Sequence, residues 1–426
     1  MQKIIHFLER SLKILNPLLT PRRLVYAKVL GAVLWVAWLL SISLGTGYLD
    51  LAGQEIGTDF LQYYAAGRIV QQGDSARLYD LAYVREVETQ IIGQEPSGIY
   101  NFILPPFMAW FFLPFALLPY RLSFALWVLL CLAALWGSLR ALMRGSPKQT
   151  FLWSLTWFPV FAAVSFGQNS LVSLFLFALA YYLWVKERPL SAGLAASLLA
   201  YKPQLLLGLG LLWLLRWRKD WRALLGLALG GAALVLLCFG TLPAASRAYV
   251  DFALKVMPEI PNWSGRQVWH TQTFYEFWML LLPQLPAVTN ILRLALVGIG
   301  AVAILRFWLR FRDEKALLYA GMIGFVFWTT PHANIYEMSL LLIPAVLLRE
   351  QRPDLRFEWR RLFALLWLAM LLSGPLTYAQ LEVLHLPFAL QLSVPLWAMA
   401  LGLAYHWLMA PGKEESKATP EPAPAL

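Results

Sequence analysis

Apolar runs of about 20 residues recur along the chain, separated by short turns in which Lys and Arg collect. A run of that length is what a helix needs to cross the hydrocarbon core of a bilayer. Their recurrence predicts a polytopic helical membrane protein, all-α in class. Composition agrees. Of 426 residues, 59% are hydrophobic and 14% charged, whereas soluble domains carry roughly 25% charged residues. The 20 Trp and 17 Tyr suit the amphipathic belts found at the two bilayer surfaces. One large soluble core would need far more polar residues to cover it.

The net charge of +11 does not point to nucleic acid, because the basic residues sit in short turns, the mark of cytoplasmic loops. Residues 1–23 carry Lys3, Arg10, Lys13, Arg22 and Arg23 without a small-residue cleavage site, so they read as a retained cytoplasmic terminus. The first span covers about Leu24–Leu44 and leads into a first external loop, 46–121. Up to Asn101 this loop sets eight acids against Arg68, Arg77 and Arg85. Short helices are expected over Phe60–Gln72 and Leu81–Gln90, with a turn at Gly73, Asp74 and Ser75. The apolar stretch that follows is interrupted by Pro105, Pro106, Pro114 and Pro119. An odd number of crossings must separate the external loop from Arg140, Arg144 and Lys148, and Leu122–Leu142 supplies one. The proline-rich segment is therefore expected to lie along the membrane or to dip into it.

Basic turns at Lys186/Arg188, Arg216–Arg222, Arg306–Lys315 and Arg349–Arg361 keep the same rhythm. They imply about twelve crossings with both ends cytoplasmic. The transmembrane domain is expected over 24–410, with a second external loop at 242–288 and a disordered cytoplasmic tail at 411–426. Leu190–Ala200 and Leu205–Leu215 are short for a bilayer of roughly 30 Å, and need a thinned membrane or shielding by neighbours. Cys131 and Cys238 lie in apolar runs without metal-ligand spacing, so neither a disulfide framework nor a zinc site is indicated.

The outer tips gather the polar groups. Asp59, in Ile56–Arg68, lies just beyond the first span beside Phe60, Tyr63 and Tyr64. It is placed to act as a base, or equally as the N-cap of the helix that follows. Lys202 stands between two apolar runs on the face where lysines are scarce. Pro203 after it breaks the helix and frees backbone carbonyls. An ionisable group there is a functional candidate; the plainer alternative is a lysine snorkelling to lipid phosphates. His332, also after a proline, can donate to an anionic oxygen or shuttle a proton, or simply be a hydrogen-bonded loop residue. Gln168 and Asn169 offer neutral amides, for a substrate or as interhelical glue. In the second loop Arg266, Trp269, His270 and Tyr275 cluster, either as a lid or as an interfacial aromatic patch, and Arg266 and His270 are spaced to share a helical face. Asn262, Trp263 and Ser264 formally match a glycosylation sequon.

The chain has no glycine-rich phosphate loop, HExxH, paired-cysteine site or nucleophile elbow. Any chemistry at these tips must use a donor that the membrane itself can deliver. A lipid-linked sugar phosphate suits them. Asp59 would take the proton from an acceptor hydroxyl, while Lys202, His332 and Arg266 stabilise the departing phosphate. One carboxylate suffices for a single displacement, with inversion at the sugar carbon. Tyr63, one turn beyond Asp59, would share its face and could stack on a sugar.

The order of motifs resembles glycosyltransferase family 87, membrane glycosyltransferases of the GT-C class. The matching residues are Gly57, Thr58, Asp59 and Phe60 followed by Tyr63, Tyr64 and Ala65; Gly73 with Leu78 and Tyr79; and Pro105 and Pro106 with Leu113, Pro114 and Phe115. Further on come Gly167, Gln168 and Asn169, then Ala192, Gly193 and Leu194 leading to Lys202, Pro203 and Gln204. Pro331 and His332 before Tyr336 and Glu337 complete the series. The resemblance implies a GT-C-like fold and a mannosyl- or arabinosyltransferase-like enzyme that draws on a polyprenyl-phosphate sugar. It implies Asp59 as catalytic base, Lys202 and His332 near the donor phosphate, and helices lying along the membrane in the first external loop. Glu337 stands where an aspartate would be expected. Tyr64, His270 and Glu337 join Tyr63, Gln168 and Asn169 as candidate substrate contacts.

The expected acceptor is a hydroxyl of a glycolipid or glycan at the non-cytoplasmic face, in the plasma membrane of a bacterium. A monomer without cofactor is expected, and no metal is favoured, on the expectation that Asp59 has no second acid beside it. Readings kept open are a lipid or sugar transporter, a noncatalytic assembly subunit, and a ligase or polymerase of surface polysaccharide with a lipid-diphosphate donor. The enzyme reading requires Asp59, Lys202 and His332 to converge in space.

Overall fold

The computed structural model describes residues 2–262 and 268–410, and among them the structure is helical, with two isolated β-bridges and no strand. Helix α1 (Gln2–Leu12) is followed by α2 (Pro21–Leu44). Proline opens α2 where its missing N–H has no helical partner to lose. Only 6% of the apolar window of α2 is buried, so its flank is left for lipid.

The first external loop folds into α3 (Thr58–Gln71), α4 (Leu81–Ile92) and α5 (Pro106–Ala116). The first two start and stop within two residues of the expected bounds. The third is the proline-rich segment. Its 11 residues rise about 16 Å, roughly half the hydrocarbon thickness, so it cannot cross alone. It packs along α3, where a side chain at Gly67 would stand 2.7 Å from the Phe112 carbonyl oxygen.

From there α6 (Tyr120–Leu142) is long, whereas α7 (Lys148–Leu155) and α8 (Phe158–Ser165) are short. α9 (Ser170–Val185) leaves α8 at a bend of 118°. α10 (Pro189–Ser197) tightens into a 3-10 turn to Tyr201 before α11 (Pro203–Leu215) begins. Then come α12 (Trp217–Thr241), α13 (Pro243–Lys255), α14 (Phe274–Leu281), α15 (Pro286–Phe311) and α16 (Lys315–Thr329). A 3-10 segment, Ile335–Leu341, feeds α17 (Leu342–Gln351), and α18 (Arg356–Tyr378) and α19 (Ser393–Met409) follow.

Among the described residues five helical segments are long and apolar enough to cross a membrane: α2, α6, α12, α15 and the stretch Pro353–Val383 that contains α18. The bent pair α8 and α9, taken as one span, makes six. The other apolar runs fold as shorter helices, α5, α10, α11 and α16, walled by neighbours. α15, a long one, has 11% of its apolar window buried, whereas Ala192, Gly193, Ala195, Ala196 and Ser197 of the short α10 are all buried.

Small residues let α10 and α12 nearly touch. A Cβ added at Gly226 would lie 2.1 Å from the Leu190 carbonyl, one at Gly193 2.0 Å from that of Ala223, and one at Gly230 2.1 Å from Ser197 Oγ. Close backbone approach of this kind is how helices associate inside lipid. The pairings also set heights. Ser197 is level with Gly230, and α12 runs on to Thr241, while the α10 strand of the hairpin turns back at Lys202. At the rises of α and 3-10 helices, the Lys202 turn stops roughly 7 Å short of the end of α12. The tip is recessed. At the opposite end the hairpins are held by Arg216, whose Nε lies 2.7 Å from Asp220 Oδ2, while Trp184 Nε1 donates to Asp220 Oδ1 at 2.9 Å.

Gly226→Leu should force α10 and α12 apart and cost about 1–3 kcal/mol or more, as overpacking does. A Cβ at Gly231 meets nothing, so Gly231→Ala should leave the melting temperature of the detergent-purified protein unchanged. Equal melting curves for the two variants would refute the close crossing.

Candidate functional site

Helix α3 begins on Gly57 in the left-handed region (φ 65°), packed so tightly that a Cβ would fall 2.3 Å from Phe124. Only glycine meets both demands. Tyr120 fixes the approach by donating its hydroxyl to the Ile56 carbonyl at 2.7 Å. Asp59 is in the first turn, not at the cap. Its backbone N–H and that of Phe60 both reach the Phe166 carbonyl, at 2.9 and 3.2 Å. First-turn N–H groups have no partner within a helix, and here the turn between α8 and α9 supplies one. That turn runs through Gly167 at φ 71°, where a side chain would strike Phe60. Trp127 Nε1 donates to the Gly167 carbonyl at 2.8 Å and locks it.

The turn then delivers Gln168 to the acid. Its amide donates to the Asp59 carboxylate, and its Oε1 accepts the Tyr63 hydroxyl at 2.8 Å. Burial pushes the Asp59 carboxyl up to about 6. The Gln168 bond opposes that rise, the Glu337 carboxylate adds to it, and the Lys202 ammonium pulls it back. Geometry joins them too: the ring of Phe166, whose carbonyl holds the Asp59 N–H, lies 6.4 Å from that of Tyr336, the neighbour of Glu337.

Lys202, where the α10–α11 hairpin breaks, is 7% exposed and pairs with Glu337 at 2.9 Å. Its ammonium also reaches Ser170 Oγ at 3.4 Å and lies 5.9 Å from the centre of the Tyr336 ring. Glu337 is held on its other side by the Asn334 backbone N–H, in a capping box in which the Asn334 side chain accepts from the N–H of Glu337. Asn334 Oδ1 in turn accepts the Thr271 hydroxyl at 2.9 Å, and the Gln272 N–H donates to the Ala333 carbonyl at 2.6 Å. The second external loop is thus tied to the last tip.

Asp59, Tyr63, Gln168, Lys202 and Glu337 therefore converge from four separate parts of the chain. His270 borders them. Its ring lies 5.4 Å from that of Phe166, and burial lowers its imidazole to about 4, so it is neutral at pH 7. Asn169 is fully buried beside them, and among the described residues neither amide atom has a hydrogen-bond partner. An unpaired buried group costs about 1–3 kcal/mol. His332 is exposed on the loop that leads to Asn334, and its carbonyl accepts the Thr330 hydroxyl at 2.9 Å.

Three expectations need correction. Tyr63 does not offer its ring to a sugar: it is 3% exposed and stacks on Phe112 at 4.7 Å. Tyr64 turns away from the cluster, its hydroxyl donating to the Leu118 carbonyl at 2.8 Å. The expected lack of a second acid near Asp59 fails as well: Glu55, four residues earlier, accepts from Ser97 and Tyr100, and Glu337 acts on Asp59 from another part of the chain while paired with Lys202. Among the described residues no group of three or more His, Cys, Asp or Glu is placed to hold a metal. Arg266 and the sequon partners Trp263 and Ser264 lie outside the described residues. Sequence reasoning gave no role to Phe166, Ser170 or Asn334, and named Tyr336 only as part of a motif. The spacing of Asn334 and Glu337 matches a capping box and was a usable signal; a backbone carbonyl such as that of Phe166 leaves none.

Compared with known proteins, residues 102–331, more than half of the chain, match the family model described as Glycosyltransferase family 87. The match includes Gln168, Asn169 and Lys202; Asp59 precedes it and Glu337 follows it. No curated protein and no solved structure matches.

Removing one partner of a buried ion pair leaves a lone charge, at a cost of about 3–5 kcal/mol. Lys202→Met and Glu337→Gln should each lower the melting temperature markedly, and the double variant should lose less than the two losses combined. Additive losses would mean that the two side chains do not pair.

Proposed function

The chain belongs to glycosyltransferase family 87, and on that premise we propose an inverting transfer of a sugar from a polyprenyl-phosphate donor to an acceptor hydroxyl, with Asp59 as general base. The acceptor is a glycolipid or glycan at the non-cytoplasmic face, and the sugar is mannose- or arabinose-like. The observation that carries this reading is the Asp59 carboxylate bound by Gln168 in the field of the Lys202–Glu337 pair. A base works best when its pKa lies near the working pH, and a carboxyl raised to about 6 meets that condition. Both oxygens of Glu337 are engaged, by Lys202 and by the Asn334 N–H. Asp59 is then the carboxylate left to take a proton, and a single displacement needs no other.

The leaving phosphate would meet the Lys202 ammonium, which has three N–H donors, two of them directed to Glu337 and Ser170. Fixed donors aimed at developing charge lower a barrier without reorganising. His332 and Arg266 complete the donor-phosphate site in this scheme, and Asn169 and His270 contact the sugars. The recessed hairpin supports a donor arriving within the lipid. In the same scheme α8, α9, α10, α11, α16, α17 and α19 cross beside the five long helices, the shortest through a locally thin membrane, which gives about twelve crossings in a GT-C-like architecture. Both termini are cytoplasmic, in the plasma membrane of a bacterium. No metal or other cofactor enters the mechanism.

Two outcomes test it. With polyprenyl-phosphate sugars, Asp59→Asn should cut release of polyprenyl phosphate by about 10²–10⁴-fold, the worth of a general base, while the melting temperature stays near that of the parent. Release of polyprenyl diphosphate from a diphosphate donor would instead favour the ligase or polymerase. The base must be ionised to act, so the parent's rate should be low below pH 6, rise through about 6 and level off above it. A rate that falls as pH rises through that range would count against Asp59 as base.

A further inference from the structure

At the end of the bundle opposite the candidate site, a slot of about 920 Å³ opens between α2, α7, α17 and α18. Its lining is overwhelmingly apolar, yet Arg23, Arg349, Arg356 and Arg360 also line it. Their positions follow a rule. Arg23 lies seven residues from Leu30 on α2, Arg349 seven from Leu342 on α17, and Arg360 seven from Trp367 on α18. Seven helical residues rise roughly 11 Å. Each helix therefore brings a guanidinium to the same rim and an apolar side chain about 11 Å deeper.

The arginines are not spent within the fold. Arg360 donates to the Leu19 carbonyl at 3.2 Å, and among the described residues none of the four has a carboxylate at ion-pairing distance. The neighbouring acid Asp354 is taken by Arg352 at 2.8 Å. Lipid tails alone would be indifferent to such a rim. A phosphodiester would not, because guanidinium groups bind phosphate oxygens with paired hydrogen bonds.

We propose that this slot binds one anionic phospholipid from the leaflet at the basic end, its headgroup phosphate on the four arginines and an acyl chain in the apolar depth. By the bias of Lys and Arg, that leaflet is the cytosolic one. Basic pockets between membrane helices on this side favour acidic headgroups. The lipid is distinct from the sugar donor, whose proposed phosphate position is at the other end of the protein. Bound here, it joins α2, whose flank is otherwise left to the bilayer, to α17 and α18.

The test uses full-length protein in detergent micelles doped with phosphatidylglycerol or phosphatidylcholine, read by native mass spectrometry and thermal unfolding. One phosphatidylglycerol should be retained per chain and raise the melting temperature, with at least tenfold weaker retention of phosphatidylcholine. The fourfold variant R23Q/R349Q/R356Q/R360Q should lose that preference. Ala345→Trp keeps every arginine and fills the slot, and should lose the bound lipid as well. Arg22→Gln, outside the slot, should retain it. Equal retention of the two lipids, retention by Ala345→Trp, or a second copy of the chain in place of lipid would each overturn the proposal.

Discussion

The backbone N–H of Asp59, at the start of α3, points out of its own helix to the Phe166 carbonyl, which the Phe60 N–H also reaches while bonding the Gly57 carbonyl. Much of the site depends on this contact. A helix end buried without partners costs more than the fold gains from ordering it, so α3 must sit where the turn after α8 can satisfy it. That turn in turn requires Gly57 and Gly167, both left-handed and both packed against rings that exclude a Cβ. Once the N–H groups are satisfied, the Asp59 side chain has little freedom and meets Gln168 from the same turn. The acid is placed by backbone accounting before any charge is considered.

Charge then joins the rest. Lys202 ends one hairpin and Glu337 lies in another tip, and in a setting this buried neither is stable without the other. Their pairing brings the α10–α11 turn against the 3-10 segment after α16. Short hairpins make this possible, because a tip that stops below the ends of the long helices is surrounded by protein on several sides. In the proposed transfer the same shortness would give a lipid-borne donor a route to the tip without leaving the membrane. Long helices face lipid and hold the frame, whereas short ones carry the polar tips.

Much of this was legible in the sequence. The runs of apolar residues located α2 and α6 to within three residues, and the parity of crossings between basic turns left no full span for the proline-rich segment that folds as α5. Pro203 marked the break at Lys202, and the family match bears out the resemblance carried by the motifs. What escaped depends on contacts between distant segments. No local pattern reveals that Glu337 faces Asp59, or that Tyr63 spends its ring on Phe112 and keeps only its hydroxyl for Gln168. The length of a run fixes how far a helix rises, but whether a short run crosses depends on its neighbours, and the five or six spans set by length leave that to tertiary structure.

In the proposed transfer one carboxylate, that of Asp59, takes the proton, while that of Glu337 stays in its ion pair with Lys202. The most direct test of this transfer is the anomeric configuration of the transferred sugar relative to the donor, read from NMR coupling constants of the product. One displacement by an acceptor hydroxyl predicts an inverted centre. Retained configuration would require a second nucleophile, and would contradict the role given to Asp59.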